Sequence, residues 1–566
     1  MPTIDVDISE FERLLGVRFK GNMERLDETL AFVKSEVKLF NESEGVVSIE
    51  IKDTNRPDLW GVEGLARALR GYAKIEEGLR AYEIGKPVVD VEVDKRLRNI
   101  RPYIGCSTTT GVGLNDKIIR GLMHLQDKLD QTYGRNRQKT SIGIYDLDLI
   151  APPLKYTVAK PGDFSFVPLG FSEKMSLEEI LKRHPKGIEY GHIVKKHSLY
   201  PILLDSEGKV LSFPPIINSN DLGRVAESSR NLLVEVTGTL METVLNTLKL
   251  VTLSLVDRGG KPSAATIHYL DGNLEMVTPD FGNKQVELSV EYTNRILGLK
   301  LTSKAIAKLL KIAGFGIQDI SVDQATVLVP CYRTDIMHPI DLVEEVAVAY
   351  GYNNIEPLWR ELPATGGAAP EQHFFDVTRE LMVGLGYQEI LSYTMTNPDN
   401  LFTKMNIERA RLVEIANPKV VTMTCLRNWL LPGLMEFLGN NQSVEFPQKV
   451  FEIGKVTLID ASRETRTRDE NWIAATTSHA TASFSEIKAV LNSLFMNLGL
   501  NWTLQPTSHS SFIEGRSGSV ILTGEELGVL GELSPQVLQA WKLENPTSAF
   551  EVNVQRVLAL KNTLKS

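Results

Sequence analysis

In PCYRTDIMHPIDLVEEVAVAYGY, residues 330–352, the densest set of carboxylates in the chain coincides with its clearest predicted helix. Pro339 suits the first turn of a helix, and Gly351 suits its end. Apolar side chains recur between them at helical spacing, at Leu342, Val343, Val346 and Tyr350. The stretch therefore predicts a helix that begins at Pro339 and stops at Gly351.

Four carboxylates accompany this predicted helix: Asp335, Asp341, Glu344 and Glu345. The last three stand at i, i+3 and i+4, which places them on one helical face, and Asp335 lies on the incoming loop. Gathered carboxylates repel one another unless a cation balances them, and an all-oxygen set suits Mg²⁺ or Ca²⁺ rather than zinc. A solvated acidic face opposite an apolar stripe is the alternative, and spacing alone favours it.

Length and composition bound the class of protein. A chain of 566 residues is too long for one hydrophobic core, so three to five domains are expected. With 42% hydrophobic and 23% charged residues it reads as globular, with no apolar run long enough to span a membrane. The net charge of −9 means that any RNA contact needs a local basic patch or a partner subunit.

The three cysteines, Cys106, Cys331 and Cys425, are far apart, so neither a zinc site nor a disulfide framework is indicated. The N-terminal residues lack the pattern of a secretory signal. A cytoplasmic location is therefore expected.

Two basic segments are candidates for binding phosphate. The stretch TNRPDLWGVEGLARALRGY (54–72) predicts a helix that starts near Pro57, with Arg56 and Asp58 exposed at its start. These two side chains bind a phosphate, form an ion pair, or belong to an ordinary capped turn. The segment RNRQK carries Arg135, Arg137 and Lys139, which either contact an RNA phosphate or an adenosine end or are simply solvated.

The C-terminal part follows a segment rich in Pro and Gly, residues 357–371, which we interpret as the main interdomain linker. Beyond it, LRNWLLPGLMEFL predicts an apolar helix over 426–438. That helix packs against either a partner subunit or the core of its own domain. The chain contains no GxGxxR stretch.

Four separated segments resemble the beta subunit of phenylalanine–tRNA ligase of the archaeal or eukaryotic type. They are NRPDL…GLAR within 54–72, TNRILGLKLTSKAIAKLLKIAGFGI at 293–317, the stretch 330–352, and LRNWLLPGLMEFL with KVFEIG within 423–454. They occur in the order typical of the family and extend over essentially the whole chain. The resemblance implies that Asp335, Asp341, Glu344 and Glu345 bind Mg²⁺, more as a structural than as a catalytic ion.

The same resemblance implies an α+β and α/β multidomain architecture. We expect an N-terminal α+β domain (1–87), an editing domain of mixed sheets (88–275) and a small metal-binding α+β module (276–356). After the linker comes a class II synthetase-like domain with an antiparallel sheet (372–566). The missing GxGxxR stretch indicates that this last domain lacks the catalytic motifs. Its apolar helix is expected to pack against the true catalytic subunit, although the pattern suits an intrachain core equally well.

Candidates for the editing pocket also come from the resemblance: Arg137, Leu203, Ser212, Asn218 and Glu235. A pocket that accepts tyrosine and rejects phenylalanine must hydrogen-bond the phenol, because a missing hydroxyl then leaves its polar groups unpaired. No Ser/His/Asp or Cys/His set is evident in this region, so we expect hydrolysis by a positioned water rather than by a protein nucleophile.

The function implied is that of a ligase subunit. The alpha subunit would bind ATP and phenylalanine and join the amino acid to its tRNA within an assembly of two alpha and two beta chains. The beta chain would support assembly, position the tRNA and hydrolyse mischarged Tyr-tRNA. Two alternatives remain open: a free-standing tRNA deacylase and a noncatalytic metal-binding scaffold.

Overall fold

The computed structural model describes residues 2–270, 274–359 and 366–565. The chain divides into two compact units, residues 1–358 and 359–566. Part of the predicted linker, residues 360–365, lies outside the described residues. No helix within the described ranges combines the length and the apolar character needed to cross a membrane.

The first unit begins with a three-stranded antiparallel sheet packed against helices. Alternate residues of its central strand are buried, Val47, Ile49 and Ile51, so one face of the sheet covers the core. The elements are β1 (Thr3–Asp7), α1 (Ile8–Leu15), α2 (Met23–Ala31), β2 (Ser35–Asn41), β3 (Val46–Ile51) and α3 (Val62–Leu69).

A ten-stranded mixed sheet follows, with the strand order β12-β11-β10-β7-β4-β14-β5-β13-β6 and β15 paired to β14. Its strands are β4 (Gly85–Val93), β5 (Tyr103–Thr110), β6 (Thr140–Asp146), β7 (Leu154–Ala159), β10 (Tyr200–Leu204), β11 (Val210–Phe213), β12 (Ile217–Asn218), β13 (Leu232–Gly238), β14 (Lys261–Tyr269) and β15 (Leu274–Thr278). The accompanying elements are α4 (Asp116–Gln131), the short pair β8 (Ser165–Phe166) and β9 (Met175–Ser176), α5 (Leu177–Arg183), α6 (Pro185–Tyr190) and α7 (Met241–Val256).

The two end strands of this sheet approach each other. The Tyr145 hydroxyl on β6 lies 3.4 Å from Asn218 Oδ1 on β12, and Arg137, just before β6, donates to the carbonyl oxygen of Ile216, just before β12, at 3.0 Å. The sheet therefore curls towards a barrel, and side chains rather than backbone ladders bridge the gap. We call this gap between β6 and β12 the seam.

Residues 330–352 lie in the third part of the first unit, which we call its third layer. A three-stranded antiparallel sheet, with β18 in the middle, packs against three helices. The elements are β16 (Lys284–Ser289), α8 (Val290–Leu297), α9 (Ser303–Ile312), β17 (Gly316–Ile320), β18 (Gln324–Val329) and α10 (Pro339–Tyr350). Helix α10 begins at Pro339 and is followed by Gly351, and it buries Leu342, Val343 and Val346. The predicted helix is therefore confirmed.

The second unit contains a seven-stranded sheet in which only the β19–β22 pair is parallel. Helices α11, α13 and α15 cover one face of the sheet, while α12 and α14 cover the other. The elements are α11 (Pro370–Gly384), β19 (Gln388–Glu389), β20 (Met395–Thr396), β21 (Cys425–Leu426), α12 (Leu431–Asn440), β22 (Gln448–Ile459), β23 (Thr467–Ser478), α13 (Phe484–Asn497), β24 (Thr503–Pro506), β25 (Phe512–Leu522), β26 (Glu525–Leu533), α14 (Pro535–Ala540), β27 (Thr547–Val552) and α15 (Val554–Lys565).

The apolar helix predicted over 426–438 is shorter and more buried than expected. It spans Leu431–Asn440, and Leu431, Leu434, Met435 and Leu438 are all buried in the core of the second unit itself. The expectation that this helix packs against a partner subunit is therefore wrong for its apolar stripe. The intrachain core, the alternative reading of the same pattern, accounts for these side chains.

Candidate functional site

The four acids around α10 do not converge on one point. Arg333 donates from Nε to Asp335 Oδ1 at 2.9 Å and from Nη2 to Glu345 Oε1 at 2.7 Å. Asp341 instead turns back to the start of the helix, where its carboxylate accepts the backbone N–H groups of Met337 and His338. Protein donors thus occupy these three carboxylates.

Glu344 points to another part of the first unit. Its Oε1 accepts a charge-assisted hydrogen bond from Lys34 Nζ at 2.6 Å, and the same ammonium lies 3.2 Å from Asp53 Oδ2. Lys34 follows α2, so this contact ties α10 to the N-terminal sheet. Both side chains of the Lys34–Glu344 pair are partly exposed, which makes the pair a weak contributor to stability.

The donor chemistry of these acids suits a hard divalent ion, but their arrangement does not. Within residues 2–270, 274–359 and 366–565, no group of three or more His, Cys, Asp or Glu side chains is placed to hold a metal. A magnesium ion at Asp335 and Glu345 would compete with the Arg333 guanidinium for the same oxygens. The convergence predicted from helical spacing is therefore absent, because a protein cation takes the central place.

Arg56 and Asp58 are buried, not exposed. Their side chains form a two-point pair, Nε to Oδ1 at 2.8 Å and Nη2 to Oδ2 at 2.7 Å, and the two residues are only 5% and 4% exposed. Phosphate binding by Arg56 is thereby excluded in this conformation, and the ion-pair alternative holds. Burial opposes ionisation of the neighbouring Asp335, but the charges of Arg333 and Arg56 outweigh it and lower the pKa of that carboxyl.

A second site lies at the seam. A cavity of about 420 Å³ opens between α4, the outer edge of β6 and the segment 212–225. Four of the five residues proposed for the editing pocket line it: Arg137, Ser212, Asn218 and Glu235. The fifth, Leu203, is fully buried and pairs with Ser212 across the β10–β11 ladder, but it does not line the cavity.

Helix α4 and the seam give the cavity its apolar wall. The helix buries Leu125 and Leu129 in the core and turns Ile119 and Met123 to the cavity, where Ile144 and Ile217 face them. The Gln126 amide donates to the carbonyl oxygen of Ile142 at 2.9 Å, which satisfies part of the unpaired edge of β6. The wall therefore suits an aromatic or aliphatic group.

Arg137 reaches the cavity from a strained loop. Arg135, Asn136 and Arg137 all have left-handed backbone angles, with φ of 49°, 51° and 64°, which non-glycine residues rarely adopt. Fully buried Arg101 holds this loop by donating to the carbonyl oxygen of Arg137 at 3.0 Å and to that of Thr237 at 2.7 Å. The hydrogen bonds from Arg101 therefore fix the loop, and the loop places the Arg137 guanidinium at the seam.

The guanidinium of Arg137 is already bound by other groups of the same chain. It donates to the carbonyl oxygens of Pro215 and Ile216, lies 3.0 Å from Asp130 Oδ2, and stacks 4.5 Å from the Tyr190 ring. Of the two alternatives for this loop, an RNA-phosphate contact through Arg137 is not favoured. Arg135 is exposed and has no such partners among the described residues.

Glu235 forms the polar floor of the cavity. It lies on β13 opposite Gly143 of β6, is 2% exposed, and accepts a hydrogen bond from the Tyr145 hydroxyl at 2.7 Å. Burial raises the pKa of Glu235 to about 7, although the Tyr145 hydrogen bond and the charge of Arg101 act in the opposite direction. Its carboxyl can therefore change protonation near neutral pH.

The floor also holds polar atoms without partners. Ser212 Oγ is buried near the Tyr145 hydroxyl and forms no hydrogen bond of good geometry within the described part of the chain. Asp130, behind Arg137, is fully buried too, and burial raises its pKa to about 7. An unpaired buried hydroxyl costs free energy unless a water or a ligand satisfies it, so the floor is suited to receiving a polar group.

Sequence reasoning missed two residues directly behind this floor, Tyr145 and Gly143, which contact Glu235 or leave space for it without lining the cavity themselves. Both lie in the strand TSIGIYD, where a glycine in a strand interior signals a close approach by another group. The signal was present, but its partner, Glu235, lies on β13, and only the sheet pairing brings the two together.

Comparison with known proteins finds relatives that match nearly the whole chain, and they belong to the family that the sequence resembles. The family model for the phenylalanyl tRNA synthetase beta chain CLM domain matches residues 355–554, and the tRNA synthetase B5 domain model matches residues 286–352. The beta subunit of phenylalanine–tRNA ligase from Pyrococcus furiosus is 43% identical over 554 residues, which cover 98% of this chain and 99% of that relative.

The chain belongs to the family of phenylalanine–tRNA ligase beta subunits.

Other members of the family have a similar sequence identity to this chain. The beta subunit from Methanococcoides burtonii is 36% identical over 559 residues, covering 98% of this chain and all of that relative. A crystal structure of an N-terminal fragment of the phenylalanyl-tRNA synthetase beta subunit from Pyrococcus horikoshii is 40% identical. It matches with a TM-score of 0.60 over 62% of this chain and the whole fragment. A beta subunit of this family is a component of an aminoacyl-tRNA synthetase, a ligase, and the mixed α+β multidomain fold is confirmed.

Proposed function

We propose that this beta subunit supports the attachment of phenylalanine to its tRNA and uses the seam cavity to hydrolyse tyrosine wrongly attached to that tRNA. One observation carries the hydrolytic part. Four residues taken from separate segments, Arg137, Ser212, Asn218 and Glu235, line a single cavity that has an apolar wall and an incompletely paired polar floor.

The floor explains the choice of tyrosine over phenylalanine. The apolar wall accepts either ring, so shape alone separates the two amino acids poorly. A phenol at the floor can donate its hydrogen to an oxygen of Glu235 or Asn218 and accept one from Ser212, whereas a phenylalanine ring makes neither hydrogen bond. Sites built to bind a hydroxyl reject the analogue without it by a factor of roughly 10⁴ to 10⁵.

The lining residues favour a water as the nucleophile. Among the residues that line the described cavity there is no His and no Cys, and Ser212 has no neighbouring base other than the floor carboxyl. A water held beside the ester, at the end of the cavity away from the floor, attacks more readily than one in solution, since fixing the reactants removes much of the entropic cost. The chain then acts by orienting the ester and the water.

The synthetic half of the proposal concerns partners. The beta subunits that this chain resembles imply an alpha subunit, which we propose binds ATP and phenylalanine, and a tRNA shared by both chains. We propose an assembly of two alpha and two beta chains in the cytoplasm. The lack of a GxGxxR stretch supports adenylation on the partner.

Magnesium on Asp335, Asp341, Glu344 and Glu345 is also part of the proposal. It is supported by the oxygen chemistry of the set and by the family resemblance. The described arrangement does not support it, because Arg333 and Lys34 already neutralise three of the acids. No step of the hydrolysis depends on this ion.

The deciding experiment uses the purified alpha–beta complex and tRNA charged with tyrosine. Asn218→Ala should slow Tyr-tRNA deacylation by at least tenfold and leave phenylalanine charging unchanged, so Tyr-tRNA accumulates. Asn231→Ala is the matched control, since Asn231 pairs with Asp148 in the same domain and does not line the cavity. Equal deacylation by the two variants would remove the cavity from the reaction.

The open alternatives give different results in the same assays. A free-standing deacylase would hydrolyse Tyr-tRNA at the full rate without the alpha subunit, and no second chain would co-purify. A scaffold would show no deacylation at all. Phenylalanine charging only by the pair of chains, with deacylation sensitive to Asn218, supports the proposal.

A further inference from the structure

A phenol that belongs to the protein lies directly behind the floor of the seam cavity, in contact with two of the residues that line it. The Tyr145 hydroxyl lies 2.7 Å from Glu235 Oε2 and 3.4 Å from Asn218 Oδ1. A hydroxyl has one hydrogen to donate, and the shorter distance assigns it to Glu235. Asn218 Oδ1 is therefore left as an acceptor without a good donor, on the opposite side of the seam.

The space for this contact depends on a glycine. A Cβ atom at Gly143 would lie 2.2 Å from the Tyr145 hydroxyl oxygen and 2.4 Å from Glu235 Oε2, closer than non-bonded atoms can approach. Gly143 pairs directly with Glu235 across the β6–β13 ladder. The strand thus leaves a gap the size of one methyl group, and both polar groups meet above it.

We propose that Tyr145 is a positioning residue that sets the specificity of the cavity: it engages one oxygen of Glu235, so that the other oxygen, next to the Asn218 carbonyl, is presented as the acceptor for the single hydrogen of a second, incoming hydroxyl. The inference rests on the proposed function. It adds that selection of a phenol depends on a phenol in the protein, with Gly143 supplying the space for it.

The surroundings of Glu235 show why Tyr145 matters. The charged and titratable groups that face this carboxyl from neighbouring elements are Arg101 before β5, Cys106 on β5, Tyr145 on β6 and Tyr156 on β7. Of these, Tyr145 donates a hydrogen bond to Glu235 at 2.7 Å. Without that hydroxyl the ionised carboxylate loses one donor and keeps the Thr237 side chain, which also lowers its pKa.

The test is Tyr145→Phe in the alpha–beta complex, with Tyr156→Phe as the matched control. Tyr156 is equally buried in the same core, but its hydroxyl donates to the carbonyl oxygen of Arg101. We expect Tyr145→Phe to lower the ratio of kcat/KM for Tyr-tRNA to that for Phe-tRNA by at least tenfold. Tyr156→Phe should leave this ratio within twofold.

The pH profile separates positioning from a loss of packing. The hydrogen bond from Tyr145 lowers the pKa of Glu235, so its removal raises that pKa. If the ionised carboxylate accepts the hydroxyl, deacylation rises with pH through the Glu235 pKa, and in Tyr145→Phe this rise moves to higher pH. An unchanged ratio and an unchanged profile would overturn the role of Tyr145 and leave the proposed hydrolysis standing.

A binding measurement decides the case in which the complex shows no deacylation. The full-length chain alone is titrated calorimetrically with L-tyrosinamide and L-phenylalaninamide. A preference for tyrosinamide that Tyr145→Phe abolishes supports the inference even without hydrolysis. Equal binding of both amides by the unmodified chain would overturn it.

Gly143→Ala gives a second, independent variant. The added methyl group must displace the Tyr145 hydroxyl, the Glu235 carboxyl, or both. We expect the same loss of discrimination as in Tyr145→Phe, and no further loss when the two substitutions are combined, because both act on one contact. Additive losses would contradict a shared mechanism.

Discussion

The Nε atom of Arg56 lies 3.7 Å from the Oδ1 atom of Asp335. The first residue belongs to the NRPDL segment near the N-terminus, and the second belongs to the loop before α10. Two segments that resemble the family separately are thus in contact, and Arg333 and Asp58 extend the contact into a buried network. The network fixes the third layer of the first unit to the N-terminal sheet.

Replacing Arg333 with Met should destabilise the first unit strongly. The substitution leaves the largely buried carboxylates of Asp335 and Glu345 without their nearest cation, with Arg56 still close to Asp335, and removal of one partner of a buried pair typically costs about 3–5 kcal/mol. Urea unfolding followed by circular dichroism measures the loss. Lys34→Met serves as the control, since the partly exposed Lys34–Glu344 pair should cost at most about 1 kcal/mol. Equal effects of the two variants would contradict the central place of Arg333.

The magnesium proposal is tested by metal content. We expect the purified complex to contain magnesium by emission spectroscopy, and Asp341→Ala combined with Glu344→Ala to reduce both the bound metal and the thermal stability. If the unmodified complex contains no magnesium, or the double variant retains all of it, the four-acid site is wrong. Neutralisation by Arg333 and Lys34 would then account for the acids.

Glu235→Gln should change how stability depends on pH. Burial raises the pKa of Glu235 to about 7 in the folded chain, above its value of 4.5 in the unfolded one. The folded chain therefore holds the proton more tightly, and its stability falls as pH rises from about 4.5 to about 7. Glutamine cannot ionise, so the free energy of unfolding of the variant should decrease less over this pH range than that of the unmodified chain, by on the order of 1–3 kcal/mol. Unfolding of both proteins at pH 5 and pH 7.5 measures the difference, and parallel curves would refute it.

Leu434→Ala should destabilise the second unit in the isolated chain. Leu434 lies on the inner face of α12 and is fully buried, and truncation of such a side chain costs about 2–5 kcal/mol. Met496→Ala is the control, because Met496 is 68% exposed on α13 and should change stability by at most about 0.5 kcal/mol. A loss for Leu434→Ala that appeared only with the alpha subunit present would restore the partner-contact interpretation of this helix.

Local signals account for what the sequence predicted well. Pro339 and Gly351 delimit α10 because helix starts and stops depend on the residues that occupy them. Burial of Arg56 was missed because it depends on how the layers of the first unit pack, and no local pattern records that. The acids around α10 were expected to converge because helical spacing places three of them on one face. Spacing does not show that a cation from the preceding loop, Arg333, binds two of the acids instead.

The cavity also could not be predicted from local patterns, because its residues are far apart in the sequence. Its lining residues were named through a resemblance, since nothing in the spacing of Arg137 and Asn218 relates them. Tyr145 was missed because its contact with Glu235 joins residues 90 positions apart on paired strands. Predicting it requires the strand order, which depends on the whole sheet.

The seam also has a consequence for how the molecule is made. Its walls come from residues near 137–145 and near 212–225, so a nascent polypeptide emerging from the ribosome has no cavity until the later segment has been synthesised and the sheet has curled shut. The removal of mischarged amino acid that we propose would thus be acquired only after helix α4 and the first strands of the sheet are already available to fold.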